Sequence, residues 1–244
     1  MLAIEPAVLV AAAVVFAAAL VSSVAGFAFS ALAGAALLKL LDDPARAVSV
    51  MVACSIAIQA YGVWALRRAI DWRSLAPFLA GGAFTVPAGV WCLLQVDART
   101  FAIALGAFLV AYGGYMLARR AAPVFAGSAR CDALAGALGG FAGGFAGFPG
   151  SFVTIWCGMR GWAKERQRAL YQPYILVMQL EAMAFLFAGT ARAVPAEMAL
   201  FVPLALLAAC LGFMVFRRMS GEQFRVLVNV LLASSGAALL AGAL

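Results

Sequence analysis

Polar and apolar positions in this chain fall in long blocks rather than with the period of an amphipathic helix or strand. Charge-free stretches cover residues 6–38, 47–66, 74–96, 100–118, 133–159, 198–216 and 226–244, and an eighth, 169–191, is interrupted only by Glu181. A helix needs about 20 apolar residues to cross a bilayer, so six of these blocks predict one crossing each. Residues 6–38 and 133–159 are too long: as single helices they would run roughly 50 Å and 40 Å at about 1.5 Å per residue. Both carry glycines in their middle or C-terminal half, which predicts two shorter legs around a break. Loops are short, the longest polar stretches being Arg119–Arg130 and Arg160–Arg168.

Composition fixes the solvent. Of 244 residues, 66% are hydrophobic and 11% charged, against about half and a quarter in a soluble domain. That excess cannot be buried in one globule, so most side chains face lipid. A secreted disulfide scaffold, a nucleic-acid-binding domain and a soluble enzyme are excluded. The chain has no histidine, and four of its five cysteines lie inside apolar blocks without CxxC spacing. No cofactor and no metal site are expected. Glu5 and the lack of a basic n-region argue for mature membrane structure at the N-terminus rather than a cleaved signal.

The net charge of +7 reads as an orientation signal. If all eight blocks cross once, the 17 basic residues divide 10 to 7 between the two sides. If each long block instead enters and returns on one side, 13 fall on one side and only Lys39, Arg46, Arg99 and Arg192 on the other. The second arrangement obeys the positive-inside rule far better, and places both termini outside the cytoplasm.

An internal repeat supports it. Ala25-Gly26-Phe27 followed by Ser30 recurs as Ala146-Gly147-Phe148 followed by Ser151, and Ala45-Arg46-Ala47-Val48 recurs loosely as Gln167-Arg168-Ala169-Leu170. In that register Gln59 falls opposite Glu181. Each half reads as a glycine-bearing hairpin followed by three spans, with an odd number of crossings. The expected fold is therefore an all-α polytopic membrane protein of two inverted-topology repeats, residues 1–122 and 123–244, as in many secondary carriers.

The breaks carry the candidate chemistry. Irregular backbone at membrane depth is tolerated only where protein or water covers it, and Pro149-Gly150 is hard to pass through as regular helix. A leg that restarts after a break offers unpaired N–H groups and a positive dipole end, a ready anion site. Gly26, Gly147 and Gly150 would let an anion approach the backbone, Ser30, Ser151 and Thr154 would add hydroxyls, and two inverted breaks meeting near the midplane would form one compact site. Close helix packing is the other reading of these glycines. Glu181, the one carboxylate well inside a block, is a candidate for a coupling proton, or for a structural hydrogen bond to Gln179 or Gln59. Of the cations after residue 159, Arg168, beside Tyr171, Gln172 and Pro173, is the one expected in the anion pathway.

The segment Gly139–Trp156, followed by Arg160-Gly161-Trp162-Ala163-Lys164 and by Arg166-Gln167-Arg168-Ala169-Leu170-Tyr171-Gln172-Pro173, resembles the TauE/SafE sulfite exporter family, also known as sulfonate-permease-like transporters. The likeness extends to length, to seven or eight spans in two related halves, and to a glycine-rich motif opening each half. The first motif departs, its usual glycine triplet and proline being reduced to Gly26, Ala28 and Gly34. The resemblance implies transport, commonly outward in bacteria, of small sulfur oxyanions or organosulfonates. The expected protein is a bacterial inner-membrane, multi-pass carrier, not an enzyme. Its expected partners are a small anion, membrane lipid, a coupling proton and a second copy of the chain in a homodimer, without nucleic acid. A carrier of a cation or amino acid using Glu181, or a membrane assembly protein, are the rival readings.

Overall fold

The computed structural model describes residues 6–41, 44–95, 98–118, 124–187 and 197–243. Glu5, Arg119, Arg120 and Arg192, used in the reading of charge, and the boundary between the halves at 122–123 lie outside the described residues. All regular structure among the described residues is helical: α1 (Pro6–Ala25), α2 (Phe29–Leu40), α3 (Pro44–Leu66), α4 (Trp72–Gln95), α5 (Ala98–Ala118), α6 (Ala129–Ala146), α7 (Gly150–Met159), α8 (Lys164–Phe187), α9 (Met198–Arg218) and α10 (Gly221–Ala243). Five of these, α1, α3, α4, α9 and α10, contain stretches long and apolar enough to cross a bilayer. α5 and α7 are apolar over shorter stretches.

Both long apolar blocks are broken as their glycines predict. α6 ends in a left-handed glycine cap. Gly147 sits at φ 67°, its N–H reaches Gly143 O at 3.0 Å, and the Phe148 N–H reaches back to Ala142 O at 3.2 Å, which satisfies carbonyls the helix end leaves over. Pro149 then starts α7. α1 ends at Gly26, at φ 89°, and its sequel is less comfortable: Ala28 holds φ 75°, a left-handed conformation that costs a residue with a Cβ about 1–2 kcal/mol.

The second block folds back on itself. Asp132, in the first turn of α6, accepts from the Trp156 indole N–H at 2.7 Å and from Arg160 Nη1 at 2.9 Å, and the Phe125 N–H donates to Met159 O at 2.9 Å. The start of α6 and the end of α7 therefore lie together. Arg160 stacks over the Trp156 and Trp162 rings, and Arg166 covers Trp162 as well. Arg225 Nη1 donates to Met116 O at 2.8 Å and Lys164 Nζ to Met219 O at 2.6 Å. The ends of α5 and α7 and the starts of α6, α8 and α10 thus gather at one basic end, where the eight-crossing alternative would divide them between two sides.

The helices form two compact units, Met1–Ala65 with Gly189–Arg218, and Leu66–Ala188 with Met219–Leu244. Neither unit coincides with a half of the sequence. In the first, α1 packs against α9 and α2. Ala11, Val15 and Ala19 of α1, Ala33 and Leu37 of α2, Val50 and Cys54 of α3, and Phe201, Ala205 and Ala208 of α9 make its core. In the second, α4 packs on α6 and α8, and α5 on α10. The pairing is reciprocal: α9 stands fourth in the second half, as α4 does in the first, and each joins the opening helix of the other half.

Glycines set the closest of these contacts. Gly136, Gly140 and Gly144 recur every fourth residue on α6. A Cβ on any of them would strike α4 backbone: Phe78 at the first, Gly82 at the second, Val86 and Val90 at the third. Gly81 and Gly89 of α4 return the fit against Ala133 and Phe141. Small residues at this spacing let two membrane helices approach backbone to backbone. Thr85 fastens the seam through a 2.7 Å bond to Ala137 O, and the Tyr174 hydroxyl of α8 donates to Gly136 O at 2.6 Å.

Candidate functional site

The glycine-rich segment thus serves two purposes on two faces of one helix. Gly140 and Gly144 are packing residues. Gly139 and Gly143 face the other way, toward Pro149, where an added Cβ would meet its carbonyl oxygen at 2.7 Å and its Cβ at 2.8 Å. Their absence of side chains brings the start of α7 against α6.

That start is buried and polar. Gly150, Ser151 and Thr154 are all closed off from the surface. Pro149, in the N-cap position, brings neither an N–H nor a side-chain acceptor, so no side chain caps α7. The Ser151 hydroxyl donates to Phe148 O at 3.1 Å, which shapes the turn. Thr154, one turn further on, is 1% exposed and its Oγ1 has no hydrogen-bond partner.

α7 packs on α8, which supplies a second buried polar group. Arg168 is 1% exposed, and through Nε and Nη2 it donates to Gln172 Oε1 at 3.3 and 3.1 Å. The bond fixes the Gln172 amide so that its Nε2 points elsewhere, buried and without a partner. Buried polar groups are nearly always satisfied in folded proteins, so a leftover amide donor and a leftover hydroxyl in one unit point to a ligand that accepts hydrogen bonds. Glu181 lies on the same helix, half-buried, about 20 Å beyond Arg168 at helical rise.

The first break belongs to the other unit. Gln59 on α3, 3% exposed, donates Nε2 to Gly26 O at 3.2 Å. Because a carbonyl only accepts, this bond assigns the amide orientation and leaves Oε1 buried without a partner. Ser30 is half-buried in the first turn of α2, and Ser23 in the last turn of α1 is buried with an unpartnered hydroxyl. The structure therefore joins Gln59 to Gly26 in one unit, and Arg168 to Gln172 in the other, with Gly147, Gly150, Ser151 and Thr154 on the α6–α7 hairpin of that second unit. Gln59 and Glu181, paired by repeat register, fall in different units.

Sequence reasoning missed a cavity of about 270 Å³ in the second unit, lined by α5, α7, α8, α10 and the turn between α7 and α8. Thr154 is in its wall, with Tyr112, Lys164, Gln167, Arg225 and Asn229 as further polar lining. No local signal gathers these residues, because they come from four helices. Nor was the Asp132 latch foreseen, although Asp132 is the acid that opens the second long block.

No curated protein and no solved structure matches this chain. The family model described as "Sulfite exporter TauE/SafE" matches residues 11–239, nearly the whole of the membrane structure just described, including both breaks and the Arg168–Gln172 pair. The chain belongs to the TauE/SafE sulfite exporter family.

Proposed function

We propose that this protein is a secondary transporter that moves a small sulfur oxyanion or organosulfonate out of the cell across a bacterial inner membrane, holding it at the start of α7. The observation that carries the reading is the buried N-terminus of α7, without a side-chain cap, in the same unit as unpartnered donors at Thr154 and Gln172. An anion's oxygens would take the first-turn N–H group at Gly150 together with those donors, and would compete with Phe148 O for the Ser151 N–H, which donates to it at 3.4 Å. Arg168 would supply the charge, and Ser151, engaged with Phe148, would position the turn. The ten residues of α7 rise about 15 Å, half of a hydrocarbon layer about 30 Å thick. A helix ending at the basic end of the unit therefore begins near mid-depth.

By the positive-inside rule the basic end, with residues 124–132, 160–168 and 219–225, faces the cytoplasm. The reciprocal pairing of α1 with α9 and α4 with α6 supports two duplicated halves of opposite orientation, residues 1–122 and 123–244. Glu181 would carry the coupling proton.

The test is sulfite uptake into liposomes. The wild type should transport, and Gly150→Val, which sets a branched side chain over the α7 N–H groups, should insert normally and fail to transport. Gln172→Met should weaken substrate affinity roughly tenfold, the worth of one hydrogen bond to a charged group. Glu181→Gln should bind substrate yet lose pH-driven accumulation. Wild-type transport by a well-folded Gly150→Val protein would place the substrate elsewhere.

A further inference from the structure

The 270 Å³ cavity of the second unit has room for about nine waters at roughly 30 Å³ each, more than a bare oxyanion fills. Its polarity changes with depth. At the basic end the wall is made by the turn from Gly161 to Lys164, by Gly221 and by Arg225. Further in stand Ile155, Val228 and Leu232. Leu232 lies eleven residues along α10 from Gly221, about 16 Å at helical rise. A ligand that matches this wall is charged at the membrane surface and apolar further inward, which is the build of a lipid rather than of a solute.

The charge at the outer end is positive. Lys164 and Arg225 side chains are 11% and 22% exposed, whereas the carboxylates that pair with them, Glu165 and Glu222, are 57% and 65% exposed. Water screens the outer partners more than the inner ones, and among the described residues no carboxylate lines the cavity. Backbone holds both cations at the wall: Lys164 Nζ donates to Met219 O and Arg225 Nη1 to Met116 O. Trp162 lines the same end, and indole rings favour the headgroup level of a bilayer. Exposed apolar side chains adjoin the cavity residues along both helices, Val226 and Val230 on α10 and Tyr115 on α5.

We infer that this cavity is a binding site for an anionic phospholipid, its phosphate between Lys164 and Arg225 and its glycerol and upper acyl chain along the apolar wall of α7 and α10. Basic pockets between spans recruit anionic head groups by charge, and the apolar depth holds the stem. The lipid is a fixed component of the fold, not cargo. Lys164 opens α8 one turn before Arg168, so the bound head group steadies the helix that carries that buried cation. The site stands independently of the transport reading above.

Two glycines make the test clean. A Cβ added to Gly158 or to Gly221, both in the wall, meets nothing within 4 Å. Gly158→Leu therefore fills the cavity from α7 and Gly221→Leu from the start of α10, while Gly158→Ala is the matched control that leaves most of it open. Native mass spectrometry of the delipidated protein in detergent would titrate phosphatidylglycerol against phosphatidylcholine of the same acyl chains. Both lipids carry the phosphate, but choline cancels its charge. Wild type and Gly158→Ala should bind the first phosphatidylglycerol alike, roughly tenfold tighter than phosphatidylcholine. Lys164→Gln and Arg225→Gln should each weaken it roughly fivefold, and the filled variants, folded by circular dichroism, should bind the two lipids equally weakly.

A preference for phosphatidylglycerol retained by either folded filled variant, or absent from the wild type, would overturn the proposal. Full preference in both Lys164→Gln and Arg225→Gln would do the same. So would displacement of phosphatidylglycerol from the wild type by inorganic phosphate or glycerol 1-phosphate, since the cavity would then take a soluble phosphate.

Discussion

Replacing Gly140 by alanine should loosen the second unit, although alanine is the better helix former. An ideal Cβ at Gly140 lies 2.6 Å from both Gly82 Cα and Thr85 Oγ1, and presses on the Gly82 carbonyl oxygen as well. Carbon contacts settle at about 3.5–4.0 Å, so α4 must retreat by about 1 Å. Neither obstacle yields easily: Gly82 is backbone, and Thr85 is pinned by its bond to Ala137 O. Overpacking of this kind costs about 1–3 kcal/mol. The helix propensity of alanine returns up to about 1 kcal/mol. Gly114→Ala isolates the second effect, because a Cβ on Gly114 meets nothing within 4 Å. Unfolding of the two variants by SDS titration in mixed micelles should therefore separate them by roughly 1–3 kcal/mol, with Gly114→Ala at or above wild type. A Gly140→Ala protein as stable as Gly114→Ala would refute the claim that Gly136, Gly140 and Gly144 set the approach of α4 to α6.

Asp132→Ala should destabilise the α6–α7 hairpin by about 1–3 kcal/mol, since Trp156 and the partly buried Arg160 lose their shared acceptor; Asp132→Asn should lie between, and proteolysis within residues 124–128 reports the loosening. Ala28→Gly should stabilise the protein by up to about 1 kcal/mol, the relief of left-handed strain less the entropy glycine adds to the unfolded chain; a thermal midpoint at or below wild type would contradict it. In a background lacking the other cysteines, Cys131 and a cysteine placed at Ser220 should both react with an impermeant maleimide only from the cytoplasmic side, and a reporter after Leu244 should read periplasmic. Labelling of the two sites from opposite sides would undo the hairpin.

How much was legible in the sequence depended on whether the cause was local. Gly147 and Pro149 announce their break in the letters themselves, because one takes positive φ freely and the other cannot continue the helix behind it. The Gly26 break was equally visible, but the strain at Ala28 was not, since nothing in an alanine signals left-handed backbone. The dual use of the segment from Gly139 to Gly144 could not be read at all. Which face touches α4 and which touches Pro149 depends on helices more than fifty positions apart. Arg168 and Gln172 were recognisable as neighbours at i and i+4. Ser151 was expected to offer its hydroxyl to a ligand, yet an i−3 carbonyl competes for it, a habit of serine near helix starts. Lys164 and Arg225 looked like orientation signals and no more, because their cavity exists only once α5 and α10 have closed around it.

The reciprocal pairing of helices has a consequence for biogenesis. α1, α2 and α3 are synthesised first, but their unit is completed by α9, which begins only at Met198. α4 must likewise wait for α6. Neither unit can close while the ribosome is still on the first half, so α1 waits in the bilayer with Ser23 not yet covered by Gly212 of α9. The newborn chain is therefore exposed to quality-control proteases over most of its synthesis. Expression should be limited by late assembly rather than by insertion, and a chain truncated before α9 should be cleared even though α1, α3 and α4 are each long and apolar enough to cross the membrane.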